Sequence, residues 1–212
     1  MNFINKILTA LVLIVGINGQ ALAIPIISGD GTETCVNLAE ISCSVQTISV
    51  HSLWQANDPI GNDAKWISYA DTGVDGHTLA PLLGEVSVFT VTETFFANIG
   101  DILYLDVWAD DTAEVFLNGI SLNTPNFTQN ICANGVIGCE PGENGMFSHT
   151  FTLSGMQALS FDVFQVGTGT INRANPFGLL YSGSVSSVPE PSVLALIGLG
   201  LMGLGLARRK IK

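Results

Sequence analysis

Basic side chains are almost absent from the body of this 212-residue chain. Between Ile24 and Ser187 only Lys65 and Arg173 are cationic, while of the 18 acidic residues only Glu190 lies outside that stretch. A surface of this sign repels phosphate backbones, so no nucleic acid is expected as a partner; it suits solubility outside a cell, or cation binding. The acids are scattered through loops rather than gathered in blocks, the pattern of a solvated surface. Catalytic signatures are missing as well. His51, His77 and His149 form no H-E-x-x-H pair, no G-x-S-x-G elbow occurs, and no glycine-rich phosphate loop carries a lysine. There is no C-x-x-C, and no nearby histidine completes a tetrahedral zinc set. No segment of the middle sustains a helical period, which excludes a helical bundle and a parallel α/β alternation.

What is present begins with two apolar ends. Residues 1–23 read as a secretory signal peptide: Lys6 near the start, the apolar run Ile7 to Ile17, and Ala21-Leu22-Ala23 with small residues at −3 and −1. The apolar run is too short for a comfortable membrane span, and cleavage by signal peptidase is expected after Ala23. Export places Cys35, Cys43, Cys132 and Cys139 in an oxidising compartment. Four cysteines allow three connectivities; the short spacings favour Cys35 with Cys43 and Cys132 with Cys139, the latter closing the turn "CANGVIGC".

Residues 24–185 read as one all-β domain, an antiparallel β-sandwich. Short runs rich in β-branched and aromatic residues recur between Gly, Asn, Asp and Pro: "VQTISVHSLW", "KWISYA", "VSVFTVTETFFA", "ILYLDVWA", "AEVFLNG", "GISLN", "FSHTFTL", "ALSFDVFQVG" and "PFGLLYSGSV". In Ile102 to Trp108 both alternating sets are largely apolar, the mark of a central strand covered on both sides. Asp110-Asp111 then reads as a polar turn, Ala113 to Leu117 resumes, and Asn118-Gly119 is a type I′ hairpin signal. Three antiparallel strands in sequence order are expected from these turns. As a carboxylate pair Asp110-Asp111 raises glycoside hydrolysis, but neighbours in a tight turn diverge and would not flank a sugar bond together.

The stretch "VWADDTAEVFLNG", preceded by Trp54, Asn57 and Lys65-Trp66-Ile67-Ser68, resembles the galactose-binding-like jelly-roll domains of extracellular carbohydrate-active proteins. The resemblance covers most of His51 to Val185 and implies the sandwich fold more than any one ligand. Sugar binding needs an aromatic face with polar groups around it. Trp54, beside the polar loop "QANDPIGND", is the expected exposed platform, with Asn57, Trp66 and Arg173 as further ligand-binding candidates; Trp108 suits the core better. Such folds often hold a structural calcium in an early loop. Asp58 and Asp63 in "NDPIGND", and Asp71 and Asp75 in "ADTGVDG", offer the oxygen ligands a hard cation wants, although turns favour the same residues.

From Ser192 to Ala207 every residue but Ser192 is apolar or Gly, and Arg208, Arg209 and Lys210 follow. Residues 192–207 are expected as a short transmembrane helix of the inner membrane, and 208–212 as a basic cytoplasmic tail. Residues 186–191 form the linker, ending in Val188-Pro189-Glu190-Pro191. A Pro-Glu-Pro motif, an apolar helix and an arginine-rich end in this order closely resemble the PEP-CTERM sorting signal. The resemblance implies a Gram-negative bacterium and recognition of Val188 to Pro191 by an exosortase. It also implies release or attachment of the domain outside the inner membrane, in company with exopolysaccharide and biofilm matrix. The expected protein is therefore a non-catalytic cell-surface or matrix component that associates with exopolysaccharide. A secreted carbohydrate-active hydrolase and a purely structural matrix protein are the alternatives.

Overall fold

A computed structural model of the chain describes residues 23–74, 86–127, 136–166 and 176–187, together with 197, 198, 200 and 201. The chain divides into two units, Ala23–Ser186 and the remainder formed by Met1–Leu22 and Ser187–Lys212. In the second unit only Ser187 and positions 197, 198, 200 and 201 are described, and the last four are helical. Among the described residues no helix is long and apolar enough to cross a membrane. Residues 188–191, Arg208 and Arg209 lie outside the described residues, as do Asp75, Cys132 and Arg173.

Among the described residues twelve strands build the first unit: β1 (Ala23–Ile27), β2 (Thr34–Asn37), β3 (Ser42–Cys43), β4 (Gln46–Thr47), β5 (Ile67–Ser68), β6 (Phe89–Ala97), β7 (Ile102–Asp110), β8 (Thr112–Leu117), β9 (Ile120–Ser121), β10 (Gly145–Thr150), β11 (Gly155–Phe164) and β12 (Gly178–Ser186). They form two antiparallel sheets. One runs β10-β7-β12-β5-β4 with β1 also paired to β12; the other runs β3-β2-β6-β11-β8-β9. Counting β5 to β12 as eight successive strands, the sheets read 6-3-8-1 and 2-7-4-5, the strand order of a jelly roll. The all-β sandwich is thus the one the strand pattern implies. Three strands that the pattern did not single out, β1 to β3, add to its edges.

Alternation sets the core. Phe89, Val91, Phe95 and Ala97 of β6, Val115 and Leu117 of β8, and Leu159, Phe161 and Val163 of β11 point inward from one sheet. Leu103, Leu105 and Val107 of β7 with Leu179, Tyr181 and Val185 of β12 answer from the other. Ring pairs fill the middle, with Tyr181 stacked on Phe161 at 4.4 Å. Among the described residues the outer face of β7 and β12 is covered at one end. There Trp108 and Leu180 meet Ile48, Trp54, Ala64 and Trp66, which arrive on the long segment between β4 and β5. Most of "VQTISVHSLW" is therefore a packed loop rather than a strand, buried through side chains instead of a ladder.

Asn118 and Gly119 both take positive φ, 53° and 77°, and close the β8–β9 hairpin as a type I′ turn requires. The expectation of three strands in series fails one step earlier. β7 and β8 lie in different sheets, so Asp110-Asp111 is a crossing between layers and not a surface turn. Cys35 and Cys43 form a disulfide across β2 and β3, where they are directly paired. Cys139 is also disulfide-bonded.

Candidate functional site: a buried carboxylate pair beneath the tryptophans

Trp54, Trp66 and the Asp110-Asp111 pair come together at the crossing from β7 to β8, but not as a ligand platform. Trp54 is 4% exposed and Trp66 fully buried. Their rings lie 4.3 Å apart, and both indole N–H groups are committed. Trp54 Nε1 donates to Asp110 Oδ2 at 2.7 Å, and Trp66 Nε1 to the Gln55 carbonyl at 2.7 Å. A sugar ring needs an open aromatic face, so the expectation of Trp54 and Trp66 as platforms is corrected: the loop that looked like a polar rim folds over them. Asn57 serves this packing, its Oδ1 accepting the Trp66 backbone N–H at 2.9 Å.

The calcium candidates serve their own loop. Asp58, at φ 58°, accepts the Asp63 backbone N–H at 2.6 Å and donates its own N–H to the Ala64 carbonyl. Asp63 pairs at 3.2 Å with Lys65, and Asp71 is exposed after β5. Among the described residues no three Asp, Glu, His or Cys side chains converge to hold a metal. Asp58 and Asp63 thus serve to close the turn that carries them.

Asp110 and Asp111 are both buried. The Asp111 backbone N–H donates to the Phe164 carbonyl at 3.1 Å, and its Oδ2 accepts the Val166 N–H at 2.6 Å. The two carboxyl groups hydrogen-bond to each other, which requires a proton between them. Burial pushes the Asp110 carboxyl well above the usual carboxylate range, and the charge and hydrogen bond of Asp111 push the same way; only the Trp54 N–H opposes them. Asp111 is raised by burial as well, against the hydrogen bonds from Asp110 and Val166. The hydrogen bond between them favours the proton on Asp110. The carboxyls converge rather than diverge. Their mutual hydrogen bond leaves no room for a sugar ring, since glycosidase carboxyls stand about 5–9.5 Å apart. The pair is a proton-sharing polar joint buried between sheets.

A second buried acid escaped the sequence reading. Glu93 occupies an inward position of β6, in register with Phe89, Val91, Phe95 and Ala97, and is 4% exposed. It accepts a hydrogen bond from the Tyr181 hydroxyl, while its Oε2 has no partner. That hydroxyl lies 3.5 Å from Glu33, which in turn accepts the N–H groups of Gly29 and Gly31. Burial raises the Glu93 pKa to about 7, aided by the charges of Asp30 and Glu33 and opposed by Tyr181. The alternation of "FTVTETFFA" contained the signal, a glutamate on the apolar face of the strand.

The frame is that of a jelly-roll β-sandwich with its polar joints buried. What the chain carries beyond the frame is an address: residues 187–210 match the PEP-CTERM protein-sorting motif. The motif marks an exported protein of Gram-negative bacteria sorted by an exosortase. No curated protein matches the chain. Among solved structures it is similar to a Paenibacillus cycloisomaltooligosaccharide glucanotransferase complexed with cycloisomaltoheptaose, at 10% identity and TM-score 0.34 over 78% of this chain and 18% of that one. It is also similar to a β-glucosidase from Kluyveromyces marxianus, at 10% identity and TM-score 0.36 over 81% and 21% of the two chains. A GH31 α-xylosidase from Xanthomonas citri is similar at 10% identity and TM-score 0.32, over 80% and 17%. The chain spans about a fifth of the length of each.

Proposed function

We propose that this protein is an exported, non-catalytic β-sandwich of the cell surface or extracellular matrix, held at the inner membrane by its C-terminal segment until an exosortase acts at Val188 to Pro191. The sorting motif carries this reading, because it follows β12 directly and leaves the sandwich as the delivered part. Fractionation of cells with and without exosortase tests it. The protein is expected outside the inner membrane in the first and retained, longer, at that membrane in the second. Equal distribution in both would refute exosortase sorting.

Association with exopolysaccharide is proposed through the outer face of the first sheet. Tyr104, the third residue of β7, is 51% exposed. Ser148 of β10 and Ser184 of β12 are its direct cross-strand neighbours, so an aromatic ring stands between hydroxyl groups, with Asp106 next along the same face of β7. That arrangement suits stacking on a sugar ring with hydrogen bonds at its rim. Retention on purified exopolysaccharide should fall on Tyr104→Ala; equal retention of both proteins would remove this face. The buried, hydrogen-bonded Asp110-Asp111 pair gives no support to the hydrolase alternative.

A further inference from the structure

One end of the sandwich presents exposed apolar side chains without an exposed charge among them, whereas elsewhere exposed apolar residues such as Ile41 and Ile60 stand beside exposed acids. β12 ends at Ser186, which pairs with Ile102 at the start of β7, and Ile102 in turn pairs with Thr150 at the end of β10. Gly155, opening β11, pairs with Ala97 at the end of β6. The loop joining β6 to β7 and the loop joining β10 to β11 therefore lie at the end from which residues 187–210 depart. Backbone bonds tie those loops together: Gly100 N–H to the Phe151 carbonyl at 2.8 Å and Phe151 N–H to the Asp101 carbonyl at 2.9 Å. The β8–β9 hairpin reaches the same end, with Asn118 Nδ2 donating to Gln157 at 2.7 Å.

On this end stand Phe96, Ile99, Ile120, Leu153 and Met156, between 49% and 78% exposed. Within 96–102, 118–122, 150–157 and 184–187 the only charged residue is Asp101, and it is buried, its carboxylate accepting the Asn98 N–H at 2.8 Å. Among the described residues the exposed acids Asp30, Glu40, Asp58, Asp63 and Asp71 stand on other loops. An apolar, uncharged end on a strongly acidic body is the surface a bilayer accepts, whereas the acidic remainder is repelled by anionic headgroups. Covalent reach agrees. Residues 187–191 separate this end from the apolar segment, and five extended residues span at most about 18 Å.

We infer that this end of the sandwich is a lipid-facing surface, on which Ile99, Leu153 and Met156 enter the headgroup region while the chain is still attached to its C-terminal segment. The inference rests on the proposed membrane anchoring of that segment. The occupant is a phospholipid surface, which uncharged apolar residues meet by desolvation rather than by charge.

The test uses the full chain reconstituted in phosphatidylcholine vesicles, with a polarity-sensitive fluorophore on Leu153→Cys or on Val86→Cys. Val86 is exposed and precedes β6 at the opposite end. Doxyl-labelled lipid should quench the Leu153 label severalfold more strongly than the Val86 label. A chain that floats with the vesicles but shows equal quenching at the two sites overturns the inference alone. A Leu153 label that is blue-shifted yet insensitive to doxyl lipid also overturns it, because protein, such as a second copy, would then cover this end. A chain that does not float with vesicles overturns the inference together with the anchoring on which it rests.

Discussion

Replacing Glu93 by Gln should remove a specific pH dependence of stability. In the unfolded chain this acid titrates near 4.5; in the sandwich burial raises it to about 7. The native state therefore holds the proton more tightly across that window. The contribution is fully present below pH 4.5 and is lost as pH rises through about 7. The difference in pKa corresponds to about 3 kcal/mol, which for a domain of this size is roughly 6–12 °C in Tm. Gln mimics the protonated acid and accepts the same Tyr181 hydroxyl, so Glu93→Gln should match the parent near pH 4.5 and exceed it by about that amount at pH 8. Urea unfolding followed by tryptophan fluorescence reads this cleanly, since all three tryptophans sit in one buried cluster of the sandwich. Asp110 and Asp162 are also raised by burial and add slopes of the same sign to both proteins, so the difference between them isolates Glu93. Tyr181→Phe, which removes the donor opposing the shift, should steepen the loss in the parent background. Identical slopes for parent and Glu93→Gln between pH 5 and 8 would refute the assignment of a neutral core glutamate.

Other perturbations follow from single contacts. Trp54→Ala should cost about 3–5 kcal/mol by emptying a filled cluster, visible as a lowered urea midpoint. Asp110→Asn keeps both a donor toward Asp111 and an acceptor for Trp54 Nε1 and should cost about 1 kcal/mol or less, whereas Asp110→Ala strands both partners and should cost about 2–3 kcal/mol. Gly183→Ala should lower stability by about 1–3 kcal/mol, because its Cβ would press on the Tyr104 carbonyl oxygen and Leu105 Cα of β7. Cys35→Ser with Cys43→Ser, opening an eight-residue separation, should cost about 2 kcal/mol in thermal melts.

Local physics was legible in the chain where one dipeptide decides the backbone. Asn118-Gly119 is such a case, since few other residues accept two consecutive positive φ values. Asp110-Asp111 carried the opposite lesson. Two adjacent acids look like a solvated turn only if both are ionised. A proton held between them allows the same residues to lie inside, at a step between sheets that strand periodicity does not encode. Trp54 and Trp66 misled for a related reason. The polar residues near them point along their own loop, with Asn57 and Asp58 bonding backbone, so the loop can lie over the rings. β1 to β3 carry too few residues to show a period, and they are placed by pairing with distant β12 and β6. Tyr104 is singled out by the register that sets serines on either side of it, which only the assembled sheet provides.

Export and sorting both converge on where the chain is cut. Intact-mass analysis of the protein recovered outside the inner membrane of exosortase-bearing cells should show a species that begins at Ile24 and ends within Val188 to Pro191, before any group attached there. A recovered species that still contains residues 192–212, or one whose cleavage is unchanged when exosortase is deleted, would contradict exosortase sorting.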